Sequence, residues 1–133
     1  MLPFEFTIKG PPVSHQTRNR QRLQQWKAAV TAAATAAWTH ANPIGNEVAV
    51  TITYYYEGSS PDVDNIIKPI QDGLIGVVFD DDDQVVDTKS RKRLIDGSYR
   101  IRGASTVLLS AFADGDDFLH IKVDTAPDME ALD

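Results

Sequence analysis

The chain has 133 residues, no cysteine and a formal net charge of −6, with 13 Lys and Arg against 19 Asp and Glu. This length is typical of one domain with a single core, and the lack of cysteine excludes a disulfide framework and a thiolate metal site. No signal-peptide pattern opens the chain, and its longest uncharged stretch, residues 28–46, is too polar for a membrane span. We therefore expect a soluble, cytoplasmic protein.

The first half of the chain alternates between strand and helix patterns. Apolar and polar residues alternate from Phe4 to Ile8, which predicts a half-buried strand that Gly10-Pro11-Pro12 ends. Apolar residues at helical spacing predict a helix from about Thr17 to His40. Alternation resumes from Val48 to Tyr55, so a second strand is expected to lead into an acidic loop at Pro61.

A second helix is expected after that loop. Pro69 is tolerated only near the first turn of a helix, so this helix should begin near Asn65, with Gly73 and Gly76 loosening its end. The remaining predicted elements are a strand over Gln84–Ile95, a turn at Asp96-Gly97, a possible returning strand over Tyr99–Arg102, a capped helix over Ser105–Ala113 and a last strand over Phe118–Val123.

These patterns predict an α/β (α+β) fold. We expect a single small domain over residues 1–124, with two main helices packed on a mixed β-sheet. Residues 125–133 are acidic and offer little to bury, so we expect a disordered tail.

One constellation of residues is chemically unusual. Two acidic clusters, Asp62 with Asp64 and then Asp80–Asp83, flank an apolar segment that carries Lys68. Such carboxylates repel one another without a cation, and their oxygens suit hard divalent ions such as Mg²⁺. In an extended segment Asp62 and Asp64 would project to the same side. Taken alone, the aspartate run also fits a solvated turn, but its pairing with the first cluster and the lysine favours metal-assisted phosphodiester chemistry.

The motifs in this region resemble the RusA family of Holliday-junction resolvases (crossover junction endodeoxyribonucleases). The matching segments are Asp62-Val63-Asp64-Asn65 followed by Lys68, then Asp72-Gly73-Leu74, then Asp81-Asp82-Asp83-Gln84-Val85-Val86-Asp87. The likeness extends from about residue 4 to residue 94. It implies a small homodimeric endonuclease that uses Mg²⁺, with Mn²⁺ as a substitute, and that resolves four-way DNA junctions in recombination and repair.

The resemblance also implies roles for individual residues. By position in the motifs, catalysis would fall to Asp62, Asp64, Asp82 and Lys68, with the three aspartates as metal ligands. Because the run contains four aspartates, the third ligand could be any one of Asp80–Asp83, and the motif alignment favours Asp82. If the run is extended, Asp81 and Asp83 should face away from Asp82. The segment from Asp96 to Asp116 is longer than the family pattern leads us to expect.

Two other functions fit the same residues. The chain is alternatively a non-catalytic DNA- or protein-binding relative with a cation-stabilised acidic loop, or a nuclease for flaps and forks. Cleavage of branched DNA distinguishes the first of these from an enzyme.

The distribution of charge allows a DNA ligand in spite of the negative total. Residues 1–110 hold 12 basic and 12 acidic residues, whereas residues 111–133 hold one basic and 7 acidic residues. Basic side chains cluster near the start of the first helix and again in the third predicted strand. Either cluster alone also fits a solvated surface, but together they are candidate DNA contacts: Arg18, Arg20, Arg22, Lys89, Arg91 and Arg93.

Other conspicuous side chains receive structural assignments. The three histidines, His15, His40 and His120, lie far apart without ligand spacing, so surface or strand positions are expected. Trp26 and Trp38 are expected to anchor the core or an interface.

Overall fold

The computed structural model describes residues 2–58, 61–97, 99–100 and 103–131. Its elements in chain order are β1 (Phe4–Lys9), α1 (Arg20–Ala37), β2 (Val48–Tyr56), α2 (Ile67–Leu74), β3 (Val85–Leu94), α3 (Thr106–Asp114) and β4 (Phe118–Thr125). Short 3₁₀ turns at Val63–Ile66 and Asp82–Gln84 precede α2 and β3.

The four strands form one mixed sheet in the order β1-β4-β2-β3. β2 and β3 run parallel, and the segment with α2 supplies the crossover connection that parallel strands need. β4 is antiparallel to both of its neighbours. The predicted α+β class with a mixed sheet is therefore confirmed. No helix in the described part of the chain is long and apolar enough to cross a membrane.

The first helix is shorter than its sequence pattern predicts. It begins after Asn19, whose side chain accepts a hydrogen bond from Arg22 N at 3.0 Å, and it ends at Trp38, which has an extended backbone. Its buried face consists of Leu23, Trp26, Val30 and Ala34. Both tryptophans are buried in the core, as expected.

The contact between α1 and α2 explains Gly73. A Cβ atom on this residue would lie 2.7 Å from Val30 Cγ1 and 3.1 Å from the backbone oxygen of Lys27. Thr31 Oγ1 on α1 donates a hydrogen bond to Gly73 O at 2.8 Å. Gly73 is the second-to-last residue of α2, so the helix ends next to this glycine as expected, and the same residue lets α2 pack closely on α1.

The two faces of the sheet differ in character. Thr88 Oγ1 accepts a hydrogen bond from Gln71 on α2, and Ser90 Oγ donates one to Val63 O, so the even-numbered residues of β3 face the helical side. Because side chains alternate along a strand, the odd-numbered residues lie on the opposite face, which we call the outer face. They are Asp87, Lys89, Arg91 and Arg93. Only one end of the outer face is covered by α3, through a small cluster around Tyr55 and Phe118.

The last third of the chain contains the predicted capped helix and final strand. Ser105 caps α3 by accepting a hydrogen bond from Leu108 N at 3.2 Å, and β4 extends two residues beyond the prediction, to Thr125. Asp96-Gly97 forms the expected turn. Tyr99 and Arg100 lie in no regular element, and the rest of the predicted returning strand falls outside the described residues. Disorder of the tail beyond residue 125 stays a prediction.

Candidate active site

Two lysines and two aspartates form a chain of ion pairs at one edge of the helical layer. Lys68 Nζ lies 2.9 Å from Asp72 Oδ1, one turn further along α2, and 3.3 Å from Asp82 Oδ2. Lys27 Nζ on α1 lies 3.0 Å from the other oxygen of Asp72. These contacts connect both helices to the aspartate run that precedes β3.

The ion pairs favour the charged forms of Lys68 and Asp72. The hydrogen bond to Asp72 raises the pKa of Lys68, partial burial opposes that shift, and Asp82 adds to it. Burial alone would raise the pKa of Asp72, but hydrogen bonds from Lys68 and Lys27 outweigh it and lower the pKa. Lys68 is therefore a protonated lysine that α2 and its ion pair with Asp72 position beside the carboxylate of Asp82.

The aspartate run is shaped by a capping box. Asp81 is the N-cap of the second 3₁₀ turn, with its side chain accepting a hydrogen bond from Asp83 N at 3.2 Å. Each of Asp81, Asp82 and Asp83 offers a carboxylate oxygen, and these oxygens lie within 4.8 Å of one another. The expectation that Asp81 and Asp83 face away from Asp82 is wrong, because the run is a tight turn and not an extended segment.

Gln84 ties this turn to the rest of the fold. Its Oε1 accepts hydrogen bonds from Asp80 N at 2.7 Å and Asp81 N at 2.9 Å. Its Nε2 donates to Ile44 O at 2.7 Å and Asn46 O at 2.8 Å. The side-chain amide thereby connects the carboxylates to the segment that enters β2.

Asp62 and Asp64 lie at the first 3₁₀ turn. Asp62 has an extended backbone, whereas Asp64 is already inside the turn. The expected projection of both side chains to the same side assumes that both residues are extended, and of the two only Asp62 is. Among the acidic and histidine side chains of the described residues, the one group of three or more with converging ligand atoms is Asp81–Asp83, and neither Asp62 nor Asp64 belongs to it.

The basic clusters lie on different sides of the site. Arg18, Arg20 and Arg22 are exposed around the start of α1, and Arg22 lines a shallow depression together with Pro61, next to the first acidic cluster. The residues Lys89, Arg91 and Arg93 instead lie on the outer face of the sheet. Contact of either cluster with DNA stays a prediction.

Sequence reasoning assigned no site role to two members of the ion-pair chain, Asp72 and Lys27. These two residues are 45 residues apart, so their contact depends on how α1 packs on α2. The only local signal is the glycine beside Asp72, which allows the two helices to approach closely.

A carboxylate cluster beside a lysine that is fixed by an ion pair is the kind of site that enzymes acting on phosphate esters use. Residues 6–102 match the family model of the endodeoxyribonuclease RusA. Because this match spans more than half of the chain, the protein belongs to the RusA family of endodeoxyribonucleases. The resemblance found in the sequence motifs is thereby confirmed. No curated protein matches the chain.

Proposed function

We propose that this protein is a metal-dependent endodeoxyribonuclease that resolves four-way (Holliday) DNA junctions by paired symmetric nicks during recombination and repair. The observation that supports this most directly is the position of Lys68 Nζ, 3.3 Å from Asp82 and next to the Asp81–Asp83 carboxylates, in a chain of the RusA family.

The donor chemistry fits a divalent cation. All candidate ligands are carboxylate oxygens, which suit Mg²⁺ and also accept Mn²⁺. We propose Asp62, Asp64 and Asp82 as the ligands. Asp81 or Asp83, whose carboxylates lie next to Asp82, would be the additional ligand of a larger set. When bound, such an ion activates a water molecule and neutralises charge on the phosphodiester.

The two lysines and Asp72 have separate roles. Lys68 presents an ammonium group to the charge that develops on the phosphate oxygens. Asp72 holds this ammonium independently of Asp82, so Lys68 keeps one partner when Asp82 turns to a cation. Lys27 forms an ion pair with the second carboxylate oxygen of Asp72, so both oxygens of Asp72 have a cationic partner.

Paired nicks in a four-way junction require two active sites, one for each of two opposed strands. A homodimer with twofold symmetry would present one active site to each of two opposed strands of the junction. Basic residues on each subunit would neutralise backbone phosphates, and we assign this role to Arg18, Arg20, Arg22, Lys89, Arg91 and Arg93.

The test is cleavage of labelled four-way junctions, forked DNA and linear duplex by the full-length protein, with Mg²⁺ and with chelator. We expect paired nicks at symmetric positions of the junction that require Mg²⁺, and a dimer mass by light scattering. Cleavage of forks and not of junctions would establish a flap or fork nuclease. Junction binding without any cutting would identify a non-catalytic relative.

A further inference from the structure

A cleft of about 650 Å³ lies on the outer face, between the sheet and the start of α3. All four strands contribute to its floor, with Glu5 on β1, Thr53 on β2, Arg91 on β3 and Lys122 on β4. Since Lys68 and α2 lie on the helical side, the sheet separates this cleft from the candidate active site. A volume of this size is typical of sites for small molecules.

The cleft is strongly cationic in a protein of net charge −6. Four basic residues line it: Arg91, Arg93, Arg100 and Lys122. Within the described part of the chain, Glu5 is the one acidic residue of the lining. This carboxylate already accepts a hydrogen bond from Ser105 Oγ and lies 3.5 Å from Nε2 of the buried His120. The charge that the cleft presents to a ligand is therefore positive.

The donors are arranged to receive a compact anion. Arg91 Nε donates to Thr53 Oγ1 at 2.8 Å, which orients the guanidinium plane, and the two terminal amino groups carry four further N–H donors. The N-terminus of α3 borders the same cleft at Ser105, whose hydroxyl caps Leu108 N and donates to the Glu5 carboxylate. The helix dipole adds to the positive potential there. A phosphate group matches this combination of arginine, lysine and helix N-terminus.

The rim of the cleft has a different chemistry. Tyr99 and Leu109 line it and are 44% and 43% exposed, so both side chains are accessible to a ligand. Phe112 and Tyr55 continue this apolar wall towards the interior. A planar ring attached to the phosphate would cover this surface, because aromatic side chains stack on bases without regard to sequence.

From this geometry we propose that the α3 cleft binds a nucleotide, with its phosphate among Arg91, Lys122 and the N-terminus of α3 and its base against Tyr99. The ligand is either a free nucleoside monophosphate or the terminal nucleotide of a DNA strand, which share this chemistry. The inference does not depend on the cleavage activity, because the cleft lies on the other side of the sheet from the proposed metal ligands.

The experiment is isothermal titration of the full-length protein in chelator, which removes any contribution of a divalent ion at the aspartates. The probes are dAMP, deoxyadenosine and inorganic phosphate. We expect dAMP to bind at least about tenfold more tightly than either fragment, since each contributes one half of the recognition. Equal affinity for dAMP and inorganic phosphate, or no binding of dAMP at millimolar concentration, would overturn the proposal.

Matched variants locate the site. Lys122→Gln should weaken dAMP binding by about tenfold, while Lys9→Gln removes the same charge from an exposed position of β1 outside the cleft and should leave the affinity within about twofold. Tyr99→Ala should weaken dAMP but not inorganic phosphate. Equal losses in Lys122→Gln and Lys9→Gln would reduce the effect to net charge and refute the site. If Lys122→Gln misfolds by circular dichroism, Arg93→Gln at the exposed side of the cleft replaces it.

A second pair of probes separates the two sources of the ligand. A short single-stranded oligonucleotide with a 5′-phosphate and the same strand with a 5′-hydroxyl are titrated under the same conditions. Tighter binding of the phosphorylated strand, lost in Lys122→Gln, identifies a DNA end as the ligand. Binding of dAMP together with equal affinity for the two strands identifies the free nucleotide.

Discussion

Gln84 uses all of the hydrogen-bonding capacity of its side-chain amide. Two backbone N–H groups of the aspartate run donate to its oxygen, and its nitrogen donates to two carbonyls of the segment before β2. Neither a carboxylate nor an apolar side chain can reproduce this pattern, because an ionised carboxylate only accepts hydrogen bonds and an apolar side chain neither donates nor accepts them. The glutamine of the family motif is therefore a positioning residue for the carboxylates.

Replacing Gln84 by Glu keeps the size but removes both donors and adds a fifth carboxylate to the turn. We expect a loss of about 2 kcal/mol in the free energy of unfolding, since two hydrogen bonds are lost and two carbonyls are left without partners. Urea denaturation measures it. The control is Gln24→Glu, at an exposed position of α1. Equal stability of the two variants would contradict a structural role for Gln84.

Within the aspartate run, Asp82 is the carboxylate that contacts Lys68. Asp82→Asn preserves its shape while removing its charge. We expect junction cleavage to fall by several orders of magnitude, with junction binding retained or tightened because a negative charge beside the phosphate is lost. Asp81→Asn keeps an N-cap side chain, and Asp83→Asn leaves the contact to Lys68 intact, so both should cost far less. Cleavage and gel-shift titrations test this. If Asp82→Asn cuts normally while Asp81→Asn or Asp83→Asn is inactive, then the metal ligand is a different aspartate of the run.

His120 makes stability depend on pH. Burial lowers its pKa below 6.5, Lys122 on β4 and Arg91 on β3 act in the same direction, and Glu5 on β1 opposes them. The unfolded chain therefore takes up a proton near pH 6.5 that the folded protein binds only at lower pH, so this contribution to stability is complete above pH 6.5 and is lost as the pH falls.

The expected slope from this one group is at most about 1.4 kcal/mol per pH unit. Urea denaturation between pH 7 and pH 5 should show a loss of stability that is smaller in His120→Gln. The matched control is His15→Gln, since His15 is exposed, and it should keep the slope of the parent protein. Identical pH profiles for all three proteins would refute the assignment to His120.

At the scale of elements, the position of the candidate site depends on how closely α2 approaches α1. Ala in place of Gly73 would gain about 1 kcal/mol of helix propensity, but its Cβ would meet the β-branched Val30 at 2.7 Å and the backbone of α1 at 3.1 Å. Overpacking of this kind costs about 1–3 kcal/mol, so the net effect of Gly73→Ala should be a destabilisation of about 1 kcal/mol.

A double-mutant cycle isolates that contact. Val30→Ala removes Cγ1, the nearest atom to the new methyl group, although Cβ at 2.8 Å remains. The clash is therefore relieved in part, and the combined variant Gly73→Ala/Val30→Ala should be more stable than the sum of the single changes predicts. Chemical denaturation of the four proteins measures the coupling. Simple additivity would show that the two helices separate without strain.

At the scale of the whole molecule, the aspartate cluster and the cationic cleft lie on different surfaces. The carboxylates that could hold a cation lie near α2, and the cationic cleft lies on the outer face. Because the clustered carboxylates repel one another when no cation is bound, millimolar Mg²⁺ or Mn²⁺ should raise the melting temperature more than NaCl at matched ionic strength does. Scanning fluorimetry or calorimetry measures the difference. Asp82→Asn should reduce it, and identical shifts in both salts would argue against a metal site.

Local sequence determined most of the element order. The two-residue alternation in β1 and β2, the helical spacing from Leu23 to Ala34 and the Ser105 cap are signals within a few residues of one another, so they were readable without the fold. The first and last turns of α1 were overestimated because its ends depend on the Asn19 cap and on the burial of Trp38. The family motifs likewise lie in one short stretch, which is why the carboxylates and Lys68 could be singled out.

Tertiary structure decided which groups meet between elements. Lys68 meets Asp82, Lys27 meets Asp72 across the helix contact, and Asp62 and Asp64 lie in a separate turn. The pair of Lys68 and Asp72, one turn apart on α2, is by contrast local. Tertiary structure also forms the cleft, whose lining comes from four strands and the start of α3. Period and capping are properties of neighbouring residues, whereas the choice of ion-pair partners between elements and the charge of a cleft depend on the packing of elements that are distant in sequence.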